Sequence, residues 1–179
     1  KDYHHDGARP WRGMKRDNWE GGHRVPLIVR WPGQIEAGST TNQTFCLTDV
    51  MATCAALTET DLPDDAAEDS FDFLPVLTGE QPDEQPIRKY TLHQTNNLAL
   101  AIRQGPWKYL DHKNSGGNDY SRQHLQVFHL DDTVPDAPAQ LYNLDTDPGE
   151  TTNVYFQHPD VAKRLKDKLA EYKNSGRTT

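Results

Sequence analysis

The order of apolar and polar positions divides the chain near residue 86. Ahead of that point, Val25-Pro26-Leu27-Ile28-Val29 is apolar without alternation, which predicts a strand over residues 25–31 buried on both faces. The turn-rich WPGQIEAGS closes it, and LTDVMATCAALTE then predicts a helix. Thr48 or Asp49 suits the N-cap, with Val50, Met51, Cys54 and Leu57 at helical spacing. TDLPDDAAEDS reads as an acidic loop, FDFLPVLTGE as a short helical turn stopped by Gly79, and QPDEQP as a linker.

From Ile87 onward the pattern changes. KYTLHQ, LALAIRQG, WKYLDH and AQLYNL are short strand-like runs separated by Gly, Asn, Ser and Asp, predicting an antiparallel sheet built of hairpins. HPDVAKRLKDKLAEYKNSG predicts the clearest helix. Pro159 fits its first turn, Asp160 its positive end, and Val161, Leu165, Leu169 and Tyr172 form one core-facing stripe ended by Gly176.

Residues 1 to 24 read as loop. RGMKRDNWEGGHR sets a basic run, an acid and two glycines directly before the apolar stretch. Paired glycines there predict close backbone approach or positive φ, and Glu20 is placed to pair with Arg24. This segment carries six Lys or Arg against four acids, whereas the whole chain has a net charge of -8. An anion is best received here.

Composition sharpens the picture. At 34% apolar residues and a mean hydropathy of -0.89, the 179 residues are polar for a self-sufficient domain. Either the loops are long, or something else completes the core. The negative charge argues against nonspecific nucleic-acid binding. No stretch is long and apolar enough to cross a membrane; signal peptide and initiator Met are both lacking, so the chain reads as cut from something longer. Cys46 and Cys54 lie eight apart in the expected helix, too far to pair, and read as small buried apolar residues.

Taken in order, RGMKRDNWEGGHRVPLIVRWPG, LTDVMATCAAL, DSFDFLPVLTGE, LALAIRQGPWKYL and QLYNLDTDPGETTNVYFQHPDV resemble the sulfatase family, arylsulfatase type, over nearly the whole chain. The resemblance implies an α/β fold: the end of an alkaline-phosphatase-like domain (residues 1–85), then a small C-terminal subdomain (86–179) of four antiparallel strands and a long helix. It implies the C-terminal portion of an enzyme hydrolysing the sulfate ester of a small molecule or saccharide. The lysine ahead of the family's Glu-Gly-Gly contacts the substrate's sulfate, and Lys15 matches it. His93 matches a position near the substrate cleft, and His23 and His5 are further candidates for substrate contact.

The family's calcium ion and formylglycine are expected from residues upstream of this chain. Neither Cys46, followed by Leu-Thr-Asp-Val, nor Cys54, followed by Ala-Ala-Leu-Thr, fits a Cys-x-Pro-Ser-Arg motif, and the cation-binding Asp-Asn pair is not visible. The chain alone is therefore expected to bind no metal and to be inactive, its partner being the missing N-terminal part of the enzyme. The resemblance implies a periplasmic, extracellular or lysosomal-type location. His4-His5-Asp6 imitates a metal triplet, but adjacent residues do not easily converge on one ion. Asp145 to Glu150 reads as an Asp-Pro turn rather than a calcium loop. Two other readings remain open: a phosphoesterase of the same superfamily, and a noncatalytic module that binds a partner or saccharide.

Overall fold

The computed structural model describes residues 7–179. His5 lies outside the described residues. Contacts divide the chain into two compact units that interleave in sequence: residues 1–25 with 92–170, and residues 26–91 with 171–179.

The first unit is built on the expected hairpins. Strands β1 (Thr91–Gln94), β2 (Leu100–Gln104), β3 (Trp107–Leu110) and β4 (Gln140–Asn143) form one sheet in the order β1-β2-β3-β4. The antiparallel register pairs Ala101 with Leu110, Arg103 with Lys108, and Lys108 with Tyr142. Because side chains alternate across a pleat, Ala101, Arg103, Lys108, Leu110, Gln140 and Tyr142 share one face. The N-terminal loop covers that face through Trp19, which clusters with Ala101, Leu110, Tyr120, Tyr142 and Leu144. Ile102, Tyr109 and Leu141 on the other face are also buried. The C-terminal helix, α3 (Pro159–Ser175), buries Val161, Leu165 and Leu169 as its stripe requires.

The second unit centres on a buried ion pair. Helix α1 (Asp49–Leu57) begins at Asp49, which is fully buried. Its carboxylate accepts from the Cys46 N–H at 2.7 Å and the Phe71 N–H at 3.0 Å, and pairs with the buried Arg88 guanidinium. Thr48 makes no side-chain cap, so Asp49 organises the helix start. Helix α2 (Leu74–Leu77) follows, with Phe73 edge-on to Phe45 at 5.1 Å.

Two sequence expectations need correction here. Residues 24–31 form no strand; Val25, Leu27, Ile28 and Val29 are exposed, Ile28 at 90%. A lone strand has no ladder to join, and none of the described residues pairs with this one. The cysteines are not both buried: Cys54 is exposed, and Cys46 is half-buried ahead of the helix rather than in it. Val50, Met51 and Leu57 are also exposed, so the apolar face of α1 points to solvent.

Removing one partner of a buried pair strands the other charge, at a cost of about 3–5 kcal/mol. Arg88→Met is therefore expected to lower stability by that order in urea unfolding, while the nearby exposed change Glu84→Ala should leave it unchanged.

Candidate functional site

The charged loop earns its shape from close packing. An added Cβ on Gly22 would meet the Asp17 carbonyl oxygen at 2.1 Å, and one on Gly21 would meet that of Gly13 at 2.4 Å. Close approach is thus the reason for the paired glycines. They sit in a 3-10 turn, Glu20–Gly22, that drives Glu20 into the interior. Upstream, Asp17 closes a tight turn by accepting from the Met14 N–H at 2.9 Å. The same buried carboxylate accepts from Asn118 N at 3.0 Å, Asn118 Nδ2 at 2.8 Å and the Tyr120 hydroxyl. Asn118 also donates to the Lys15 carbonyl at 2.9 Å. Lys15 therefore projects, exposed, from a turn whose base is clamped, beside Arg16 at a φ of 91°. Among the described residues nothing bonds its amine.

Below the loop lies a cluster that joins Glu20, Arg24 and His23 to three residues the sequence does not single out, Arg103, Lys108 and Glu150. Lys108, fully buried on β3, donates to Glu20 Oε1 at 2.9 Å and His23 Nε2 at 3.0 Å, and makes an ion pair with Glu150 Oε1 at 3.1 Å without hydrogen-bond geometry. Its cross-strand partner Arg103 reaches Glu20 Oε2 at 3.3 Å, and Arg24 reaches the same oxygen at 3.4 Å, making the anticipated Glu20–Arg24 pair. Glu150 arrives from the Asp-Pro turn, where Asp147 accepts from Thr151 and Thr152 N–H groups at 2.8 Å. Its Oε2 accepts from the Glu20 N–H at 2.6 Å.

The two carboxylates respond oppositely. Burial raises both; around Glu20 the charge and hydrogen bond of Lys108, with Arg103, outweigh it, and its pKa falls below the ordinary value. Glu150 is buried more deeply with fewer cations, so burial prevails and its pKa rises. Glu20 holds its charge more firmly of the two. Burial, reinforced by the Lys108 charge, depresses His23 to about 4. His23 is neutral at ordinary pH.

His23 stacks on His93 with ring centroids 3.7 Å apart, so the structure brings two of the expected histidines together. Glu20, His23 and His93 each offer one donor atom within 4.8 Å of the others. The Lys108 ammonium already engages the Glu20 and His23 atoms of this group, and two imidazoles with one carboxylate are a poor match for calcium, which takes six to eight oxygens. The cluster does not fit the expected calcium ion. A signal for Lys108 and Arg103 was present: around Gly105 they occupy paired positions of a tight hairpin, inside otherwise apolar strands.

By geometry, the first unit is an α+β module that locks a charged loop onto an antiparallel sheet and holds one lysine outward. No protein-family model matches the chain. It is 35% identical over 163 residues to an N-acetylgalactosamine-6-O-sulfatase of Bacteroides thetaiotaomicron, covering 91% of this chain and 30% of that protein. To an arylsulfatase of Hemicentrotus pulcherrimus it is 31% identical, covering 93% of this chain and 32% of that one. A solved structure from work on glycosaminoglycan metabolism by Bacteroides thetaiotaomicron matches with TM-score 0.74 and 34% identity, over 92% of this chain and 32% of that one. The chain belongs to the sulfatase family. It spans about 30% of the length of these curated relatives.

His23 gives the stability a pH signature. Between pH 6.5 and about 4 the unfolded chain binds a proton that the folded chain refuses, so stability falls as pH falls through that window. The loss from this group is at most about 3 kcal/mol. Urea unfolding from pH 7 to 4 should show His23→Gln losing less stability than the parent; equal slopes would contradict the depressed pKa.

Proposed function

We propose that this chain is the C-terminal part of a sulfatase that hydrolyses sulfate esters of saccharides, and that Lys15 contacts the sulfate. The observation that carries the reading is the exposed Lys15 on its clamped turn, within a chain related to sulfatases over 91% of its length. Ester cleavage moves negative charge onto the leaving oxygen and the sulfuryl oxygens. An ammonium fixed in advance stabilises that change without reorganising. Lysine serves here as a compact point charge. His23, as a neutral group, and His93 form part of the substrate wall, and His5 is a further contact.

In this reading residues 1–85 complete a large α/β domain, and residues 86–179 form the small subdomain. Calcium and formylglycine belong to residues outside this chain, since neither cysteine here has the required motif and the Glu20–His23–His93 cluster does not suit calcium. The rest of the same polypeptide is the partner: it covers exposed Val25, Leu27 and Ile28 and the apolar face of α1. A sulfated saccharide follows from the name of the Bacteroides relative, an N-acetylgalactosamine-6-O-sulfatase. The intact enzyme acts in a periplasmic, extracellular or lysosomal-type compartment. Among the described residues, no helix is long and apolar enough to cross a membrane.

The test is Lys15→Ala in the intact enzyme, assayed on a chromogenic aryl sulfate and on a 6-O-sulfated amino sugar. Loss of one preorganised contact to developing charge is expected to lower kcat by roughly 10²–10³-fold. The melting temperature should barely move, because an exposed side chain is worth under about 0.5 kcal/mol. Lys15→Arg should rescue poorly. The 179-residue chain alone should turn over neither substrate. Full turnover by the alanine variant would make Lys15 an ordinary loop residue.

A further inference from the structure

An ammonium can only donate, and Lys108 has two hydrogen-bond acceptors, Glu20 Oε1 at 2.9 Å and His23 Nε2 at 3.0 Å, with Glu150 Oε1 in ionic contact at 3.1 Å. Lys108 is fully buried, so water offers no alternative to any of them. For His23 the consequence is a fixed tautomer. Nε2 must present its lone pair to the ammonium, which leaves the ring proton on Nδ1. The competing arrangement puts a proton on Nε2 and donates it to the Asn18 carbonyl, 3.3 Å away. That would turn an N–H toward an ammonium 3.0 Å distant, leaving one Lys108 proton without an acceptor. The first arrangement gives the buried cation its second hydrogen-bond acceptor and the second removes it.

Nδ1 is then the free edge of the ring. No described residue bonds it, and the His23 side chain remains 24% exposed. We propose that Lys108 is a positioning residue that fixes His23 as the neutral Nδ1–H tautomer, so that His23 offers a hydrogen-bond donor to a substrate oxygen. The donor role rests on the sulfatase reading; the tautomer does not. Groups facing His23 come from several sides: Glu20 and the Asn18 carbonyl from its own loop, His93 from β1, Arg103 from β2 and Lys108 from β3. Lys108 and Arg103 oppose an imidazolium, whereas Glu20 favours one. The stacked His93 holds the ring plane, and the Lys108 contact decides which nitrogen carries the proton.

The intact enzyme with ¹⁵N-labelled histidine provides a test without turnover. At pH 7 the His23 resonances, assigned by their loss in His23→Asn, should show a protonated Nδ1 and a bare Nε2. An Nε2–H tautomer or an imidazolium would overturn the proposal. Kinetics give the second readout. An asparagine amide falls near the position of Nδ1 and a glutamine amide near Nε2, so His23→Asn should retain more kcat/KM than His23→Gln; the reverse order would refute the donor role. Lys108→Met should lower kcat/KM by about 10–100-fold, the range typical of lost supporting partners. It should also move the His23 titration upward, adding an acidic limb to the pH profile that a purely structural lysine would not produce. Should that variant fail to fold, the parent spectrum still decides the tautomer. Loss of the proposed sulfate contact would show separately in Lys15→Ala, with the His23 spectrum unchanged.

Discussion

A single ammonium, buried without access to water, organises the half of this molecule that carries the candidate site. Lys108 is anchored by strand register to Arg103 on one side and Tyr142 on the other. Its two hydrogen-bond acceptors and its further ion-pair partner come from two segments that are far apart in sequence, the Glu20–His23 turn and the Asp-Pro turn ending at Glu150. Burying a lysine costs several kcal/mol unless its protons all find partners. That requirement ties the loop to the sheet. The turn bearing Lys15 is held by a second clamp at Asp17, and the two clamps leave the segment between them little freedom.

The pairing of two carboxylates with one ammonium also divides labour between them. Glu20, crowded by cations, is the permanent anion of the cluster. Glu150 is the deeper and more easily protonated group, yet its other oxygen satisfies the Glu20 backbone N–H. A charge contact and a backbone contact therefore reinforce each other across the same pair of turns. Replacing either acid with a neutral group changes both.

Much of this architecture was legible in the sequence. The four strands, α3 and its stripe lie within a few residues of their expected bounds because turn residues and periodicity agree locally. The glycine pair announced a close approach, and the structure supplies the carbonyls that demand it. Residues 25–29 were misread because an apolar run signals burial without naming the neighbour, and no strand among the described residues accepts this one. Cys54 and the face of α1 failed for the same reason: helical spacing identifies a face, not its cover. The Lys108 cluster stayed hidden because its members are 88 and 130 residues apart, a proximity that only the folded sheet creates.

The segment from Val25 to Val29 has a further consequence. It presents apolar side chains together with a backbone that joins no ladder among the described residues. Unpaired backbone carrying such side chains is a template for strand addition between molecules. Pro26 interrupts the row of N–H groups, but Leu27, Ile28 and Val29 follow without a charge until Arg30. The same stretch that suits incorporation into a larger sheet is thus an aggregation hazard whenever that sheet is absent. Proline and arginine bracket it as gatekeepers, limiting how far such pairing could spread.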